Sequence, residues 1–157
     1  NDLADLSPTA WVYLTVLGDG LVCAVLLLPW IRSHPERVWS GLLGAIAMVV
    51  IFRILKGFAG IPRPLSVMGA DAFNLIGPPH SRMSFPSGHA SSAAFAATVL
   101  SGWDGWPWNA LWWKIAAVVG ISRAYVRIHH GSDVVAGALL GAALGVAGRR
   151  IARRLAP

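Results

Sequence analysis

Apolar residues along the chain fall into five long segments that short polar stretches separate. They lie at about residues 10–31, 38–55, 87–101, 108–126 and 132–148. Most of these segments approach the ~20 residues that an α-helix needs to cross ~30 Å of hydrocarbon. The pattern predicts an all-α protein, a polytopic membrane helical bundle with about five transmembrane helices, forming a single domain over residues 1–157.

Two of the segments and one connection depart from a plain membrane span. The first segment is interrupted by Gly18-Asp19-Gly20, and the third is short unless its helix begins inside the membrane. The longest connection, residues 56–86, is rich in Pro, Gly and Arg. Because long connections in a compact domain usually carry function, we predict a functional extramembrane loop there.

Small residues are regularly spaced in the fifth segment. Gly137, Gly141 and Gly145 are four positions apart, which places them on one face of a helix. The third segment is similarly rich in Ser and Ala. Small residues allow helix backbones to approach closely in lipid, so we predict close packing for both helices.

The composition favours an integral membrane protein over a very apolar soluble helical protein. The sequence is 55% hydrophobic and 13% charged, whereas a soluble domain has about 25% charged residues. Its eight Trp against two Tyr fit this interpretation, because Trp collects at membrane interfaces. The single Cys23 excludes an intrachain disulfide and a cysteine metal cluster.

The net charge is +6. The distribution of the basic residues is typical of membrane topology and not of a nucleic-acid-binding stripe. Four Arg residues lie in the terminal GRRIARRLAP, and most others flank apolar segments. Since Arg and Lys near span ends favour the cytoplasm, we expect Arg32, Arg37 and the tail on the cytoplasmic side. The 56–86 and 123–131 loops then face outward, which in a bacterial inner membrane, the expected location, is the side of the periplasm or exterior.

Ionisable and small polar residues collect at the outer ends of the second to fifth segments. Ionisable groups at membrane depth are costly and mark a functional site. The candidate site residues are Lys56, Arg63, Ser87, Gly88, His89, Arg123, His129 and Asp133.

These residue types together suit phosphoryl transfer. The Lys and Arg side chains match phosphate oxygens, and the helix-start amides of Ser87 and Gly88 are available to an anion. Asp133, four residues after His129, would orient that imidazole as a nucleophile. His89 would protonate the leaving oxygen. The set predicts a phosphohistidine intermediate, with the imidazoles of His89 and His129 facing each other across one phosphate.

Some of these residues, taken alone, also have simpler interpretations. Lys56 suits a membrane-edge anchor whose charge reaches the headgroups, and His89 suits a hydrogen-bonding residue at a helix start. The pair His129-His130 alone would suggest a metal site, but no further group with ligand spacing lies nearby in the sequence. The joint occurrence of the residues favours the phosphoryl-transfer interpretation.

Five further polar residues are not assigned to the chemistry. Arg127 and His130 are candidates for lining the pocket. His80, Arg82 and His34 are interpreted as solvated loop residues.

The sequence resembles the type 2 phosphatidic acid phosphatase superfamily, which also includes bacterial acid phosphatases and vanadium haloperoxidases. The signature of that superfamily is Lys, six residues, Arg-Pro; then Pro-Ser-Gly-His; then Ser-Arg, five residues, His, three residues, Asp. Here the parts read KGFAGIPRP from Lys56, PSGH from Pro86 and SRAYVRIHHGSD from Ser122. Every signature position is filled in the expected order and spacing.

The resemblance implies a role for each matching residue. His129 would be the nucleophile that Asp133 orients, and His89 would be the general acid. The residues that would bind the phosphate oxygens are Lys56, Arg63, Ser87, Gly88 and Arg123. The resemblance also implies a metal-independent phosphatase without a cofactor. Membrane relatives commonly have six spans with the motifs after the third and fifth, so we expect this chain to lack the first helix of the family.

The expected activity is that of a membrane lipid-phosphate phosphatase whose partners are the bilayer and a phosphorylated lipid, with no nucleic acid. Candidate substrates are undecaprenyl diphosphate, phosphatidylglycerophosphate, phosphatidic acid and lipid A phosphate. Two alternatives are a lipid phosphotransferase that uses the same site and a non-catalytic protein that binds or transports anionic lipids. The complete set of His89, His129 and Asp133 argues against the second, because binding alone needs neither an acid nor an oriented nucleophile.

Overall fold

The computed structural model describes residues 7–68, 82–101 and 105–155, and these residues form α-helices without any strand. The helices are α1 (Pro8–Val16), α2 (Gly20–Val25), α3 (Pro35–Ala59), α4 (Pro64–Met68), α5 (Gly88–Leu100), α6 (Trp108–Tyr125) and α7 (Gly131–Leu155). A short 3-10 turn, Leu28–Trp30, follows α2. The prediction of an all-α helical bundle is confirmed.

Two helices of the described chain, α3 and α7, are long and apolar enough to cross a membrane. The first apolar segment forms the pair α1–α2, which is bent by 46° and counts as a third span if it is taken as one. The bend lies at the predicted interruption, where the Asp19 carboxylate accepts a hydrogen bond from the Leu21 amide at 2.8 Å and so caps α2. The interrupted segment is therefore a broken helix.

The predicted third and fourth segments form α5 and α6, which differ from plain spans. The 13 residues of α5 extend only about 20 Å at 1.5 Å per residue, and every residue from Ala90 to Leu100 is buried. α6 has 18 residues but includes Lys114 and Arg123, and it does not reach the apolar character of α3 and α7. α5 is thus the central helix of the bundle and not a lipid-facing one.

Glycines of α7 lie directly against the backbone of α5, as the spacing of small residues predicts. A Cβ atom added at Gly137 or Gly141 would collide with the carbonyl oxygen of Ser87 or Ser91. A Cβ atom at Gly145 would lie 2.7 Å from the Cβ of Thr98. The contact between α5 and α7 is the most extensive between any two helices of the described chain, and the prediction of close packing is confirmed.

Large apolar side chains point away from the bundle. Leu42, Ile46 and Val49 on α3 are exposed, as are Val135 and Leu139 on α7. Buried positions are instead rich in Ser, Thr, Gly and Ala. This arrangement suits a protein surrounded by lipid. Outward-facing Leu and Ile side chains contact hydrocarbon, and small residues between the helices allow them to pack closely.

Two arginines that sequence analysis assigned to cytoplasmic topology have structural contacts. Arg37 is 2% exposed, and its guanidinium carbon lies 5.1 Å from the centre of the Trp30 ring. Arg149 donates hydrogen bonds of 2.9 Å from Nη1 to the carbonyls of Thr98 and Ser101 at the end of α5. Their positions are therefore determined partly by packing, which reduces their weight as markers of orientation.

The glycine contact gives a stability prediction. Gly141→Ala would place a methyl group 2.8 Å from the carbonyl carbon and 2.9 Å from the Cα of Ser91, so α5 and α7 must separate. We expect the free energy of unfolding in detergent to fall by about 1–3 kcal/mol.

The matched control for this experiment is Gly57→Ala in α3, where no atom lies within 4 Å of the added Cβ. Because alanine favours a helix over glycine by about 1 kcal/mol, this variant should unfold at the same or a higher denaturant concentration than the wild type. Equal destabilisation by both substitutions would contradict the backbone contact.

Candidate active site

Three separate segments of the chain meet at one end of α5 and α7. The backbone amide of Ser84 donates to the carbonyl of Ile61 at 3.0 Å, and the amide of Ser87 donates to the carbonyl of Asp133 at 3.0 Å. These bonds connect the segment after α3, the segment before α5 and the start of α7. All three segments contain predicted site residues, so the structure brings the three motifs together.

Lys56 is still part of a helix, although the sequence placed it in the 56–86 loop. α3 continues to Ala59 and ends at Gly60, which has a φ of +53°. A left-handed glycine after the last helical residue is a common way to end a helix. Lys56 therefore lies in the last turn of α3, where a helix favours a cation.

His129 and Asp133 form a buried pair across the start of α7. The Nδ1 atom of His129 lies 3.7 Å from Oδ2 of Asp133, and the residues are 4% and 1% exposed. Their spacing of four residues would place them on one helix face only if the helix began before His129; α7 begins at Gly131, so His129 belongs to the preceding loop. The distance exceeds a hydrogen bond, and Nδ1 has no hydrogen-bond partner in the described chain.

The Asp133 carboxylate is held by two other donors. Its Oδ2 atom accepts a hydrogen bond of 2.5 Å from the Ser84 hydroxyl and one of 2.9 Å from the His130 amide. Asp133 thus lies behind His129 as expected, while its oxygen is engaged by Ser84 and His130.

The surroundings of His129 keep its imidazole neutral. Burial lowers the pKa of His129 to about 3, and the charges of Arg123 and Arg63 act in the same direction. The Asp133 charge and the backbone carbonyl of Ser84 oppose this lowering. Because a nucleophile needs a free lone pair, a neutral His129 suits nucleophilic attack.

The three predicted phosphate-binding cations act electrostatically on the second histidine, His89. The charged groups that act on His89 are Arg123, Asp19, Lys56 and Arg63. Arg63 and Arg123 also act on His129. Two cations, Arg63 and Arg123, thus act on both histidines. That the imidazoles face each other across one phosphate stays a prediction.

Two of the cations are oriented by hydrogen bonds that leave donors available. Arg63 donates from Nε to the carbonyl of Arg82 at 3.2 Å, and Arg123 donates from Nη1 to the hydroxyl of Thr15 at 2.9 Å. The Nε atom of Arg123 is buried without a hydrogen-bond partner in the described chain. Unpaired buried donors are costly, and a phosphate oxygen would provide the acceptor.

The beginning of α5 differs from the expectation in one respect. The Ser87 amide, predicted to face phosphate, already donates to the Asp133 carbonyl. The Ser87 hydroxyl is buried without a hydrogen-bond partner in the described residues, and makes no capping bond to the helix. The amides of Gly88 and His89 have no intrahelical acceptor, because they lie in the first turn. The Ser87 hydroxyl and the Gly88 amide are therefore the groups left for the predicted anion contact, which stays a prediction.

Sequence reasoning missed Ser84 and Thr15. Both are buried polar residues that contact a predicted site residue through a hydroxyl. Ser84 lies only three positions before Ser87, so proximity to a motif was the available signal. Thr15 lies in an apolar helix far away in sequence, and no local pattern indicates its contact with Arg123.

The unassigned polar residues have different surroundings. His130 contacts the carbonyl of Pro62 through Nε2 at 3.2 Å, which links the third motif to the first. Arg127 is exposed and has a φ of +52°, and Arg82 is exposed. His34 pairs with Glu36 at the beginning of α3, at the opposite end of that helix from Lys56. His80 lies outside the described residues.

Comparison with known proteins identifies relatives of the chain. A model of the PAP2 superfamily matches residues 37–156. A decaprenylphosphoryl-5-phosphoribose phosphatase from Mycobacterium tuberculosis is 31% identical over 135 residues, which cover 86% of this chain and 67% of that protein.

Two solved structures have the same fold. The crystal structure of Aquifex aeolicus LpxE aligns with a TM-score of 0.81 and 29% identity, covering 91% of this chain and 85% of that one. A transmembrane PAP2 type phosphatidylglycerolphosphate phosphatase from Bacillus subtilis aligns with a TM-score of 0.66 and 24% identity, covering 95% of this chain and 78% of that one. The latter likeness is one of fold.

The lowered pKa of His129 predicts acid sensitivity that depends on this residue. Between pH 6.5, near the pKa of an unfolded histidine, and the folded value of about 3, the unfolded chain binds a proton that the folded chain does not. Stability therefore falls as the pH is lowered through this window. Between pH 7.5 and pH 5, we expect the free energy of unfolding of the wild type to fall by about 2 kcal/mol more than that of His129→Asn. Denaturant unfolding in detergent measures both. Parallel losses in the two proteins would contradict a buried neutral imidazole.

Proposed function

The chain belongs to the PAP2 superfamily, and its relatives there include membrane lipid phosphatases; from this premise we propose that it hydrolyses a lipid-linked phosphate through a phosphohistidine on His129. The observation that carries the proposal is the buried pair of His129 and Asp133 beside Arg63 and Arg123. A binding protein needs the cations, but it does not need a neutral imidazole backed by a carboxylate.

The first step would transfer the phosphoryl group to His129. Since Nδ1 is buried on the Asp133 side, Nε2 is the nitrogen that attacks phosphorus. The bond from phosphorus to the leaving oxygen breaks, and His89 gives that oxygen a proton. Lys56, Arg63 and Arg123 would balance the charge on the phosphoryl oxygens.

The second step would return the enzyme to its resting state. His89, now neutral, takes a proton from water, and the resulting hydroxide attacks the phosphohistidine. The bond from Nε2 to phosphorus breaks and inorganic phosphate leaves. The Asp133 charge stabilises the imidazolium character of His129 while the phosphoryl group is attached. No metal or cofactor is required for this sequence of bond changes.

The substrate would be an amphiphile whose tail remains in the bilayer while its phosphate reaches the pocket. The exposed apolar faces of α3 and α7 support this orientation, because they match the hydrocarbon that surrounds such a tail. The candidates are undecaprenyl diphosphate, phosphatidylglycerophosphate, phosphatidic acid and lipid A phosphate. The name of the mycobacterial relative adds a polyprenylphosphoryl sugar phosphate to this panel.

We propose a bacterial inner-membrane location with the pocket on the periplasmic side. Arg32 lies before α3, and Arg150 and Arg154 lie at the end of α7; all three are exposed. They lie at the opposite ends of these helices from Lys56 and Asp133, so cytoplasmic positive charge would direct the pocket outward.

The central prediction concerns turnover. His129→Ala should reduce phosphate release from the best lipid of the panel by at least about 1,000-fold, because the nucleophile is lost. Activity is measured in detergent without an added acceptor and again in excess chelator. His34→Ala, a histidine at the other end of α3, is the matched control and should retain wild-type activity.

Each alternative has its own outcome in this experiment. Wild-type turnover by His129→Ala would overturn the nucleophile assignment. Phosphate release without an added acceptor indicates hydrolysis. Transfer to a second lipid, with no phosphate release in its absence, would instead indicate a phosphotransferase. Binding of every lipid without turnover would indicate a transport or binding protein. Loss of activity in chelator that a divalent ion restores would overturn the metal-independent mechanism.

A further inference from the structure

Ser84 contacts several parts of the candidate site, although it has no role in the proposed reaction. It is fully buried, and its hydroxyl donates to Oδ2 of Asp133. Its amide donates to the carbonyl of Ile61, two residues before Arg63. Its own carbonyl lies close enough to the His129 ring to affect it. One residue thus contacts the carboxylate and the segment that carries a phosphate-binding arginine, and its backbone also acts on the pKa of the nucleophile.

The hydroxyl of Ser84 determines where the Asp133 carboxylate can lie. Oδ2 receives one hydrogen bond from Ser84 and a second from the His130 amide. These two donors come from different segments, so together they fix the position of the oxygen. With Oδ2 fixed, its distance to His129 Nδ1 is 3.7 Å, and a small movement of the imidazole ring would shorten this distance to that of a hydrogen bond.

We propose that Ser84 is a positioning residue that fixes the Asp133 carboxylate behind His129 and thereby sets the orientation of the nucleophile. This inference rests on the proposed function, because it concerns the rate of attack by His129. Ser84 does not contact the substrate. It acts through Asp133: the Ser84 hydroxyl positions the Asp133 carboxylate, and the carboxylate orients the His129 imidazole.

The energetic reason is the absence of water around the pair. Ser84, Asp133 and His129 are all less than 5% exposed, so a lost protein donor at Oδ2 is not simply replaced by solvent. Without the Ser84 hydroxyl the carboxylate would be held by the His130 amide alone and would rotate. Since misplacement by about 1 Å can reduce turnover about 100-fold, this rotation should affect the chemical step.

The test compares Ser84→Ala with Ser40→Ala. Ser40 is equally buried and its hydroxyl donates to the Glu36 carbonyl at 2.7 Å, but it lies near the opposite end of α3 from Lys56. We expect Ser84→Ala to lower kcat by about 10–100-fold with little change in KM, whereas Ser40→Ala retains the wild-type kcat. Equal kcat values for both variants, or an effect of Ser84→Ala on KM alone, would overturn the proposal.

A double-mutant cycle separates positioning from general loosening of the fold. If Ser84 acts through the carboxylate, adding Ser84→Ala to Asp133→Asn should lower kcat less than twofold further, because the acceptor is already changed. Independent effects that multiply would overturn the inference. Should Ser84→Ala fail to fold, Ser84→Cys keeps the size with a weaker donor, and a wild-type kcat for that variant would also overturn it.

The same assays distinguish this inference from the proposed function. An active His129→Ala variant would overturn both. An inactive His129→Ala variant together with a fully active Ser84→Ala variant would overturn only the role of Ser84.

Discussion

The direct contact between the backbones of α5 and α7 is the constraint on which the candidate site depends. Gly137 and Gly141 leave no side chain between the two helices, and the Ser87 amide reaches the carbonyl of Asp133. A bulkier residue at these positions would move the second motif away from the third. The glycines thus contribute no chemistry, yet they bring together the segments that contain His89 and His129.

The polar interior of the bundle follows from the same constraint. Small residues let helices approach, and Ser and Thr are the small residues that also carry hydroxyl groups, so a closely packed interior offers many of them. Some satisfy local carbonyls, as Thr98 does with Ala94. Others serve the site, as Ser84 does with Asp133 and Thr15 with Arg123. The large apolar residues are left for the outer surface, where hydrocarbon surrounds them.

Sequence analysis predicted the features that depend on local pattern. Each of these features leaves a periodic or contiguous pattern in the sequence. They are the helical class, the break at Gly18-Asp19-Gly20, the glycine face of α7 and the superfamily. The roles of the individual site residues remain predictions. Contacts between distant segments left no such signature: the Ser87 amide bonds to Asp133 only because α7 lies where it does, and Arg149 caps α5 only because two helix ends meet.

The two ends of α5 are both attached to α7. At its beginning the Ser87 amide bonds to the Asp133 carbonyl, and at its end Arg149 bonds to the carbonyls of Thr98 and Ser101. Because α5 is hydrogen-bonded to α7 at both ends, it cannot tilt or slide against α7 without breaking those bonds. These bonds and the glycine contact favour movement of α5 and α7 as one unit, so we expect any motion that opens the candidate site to come from the elements around this pair.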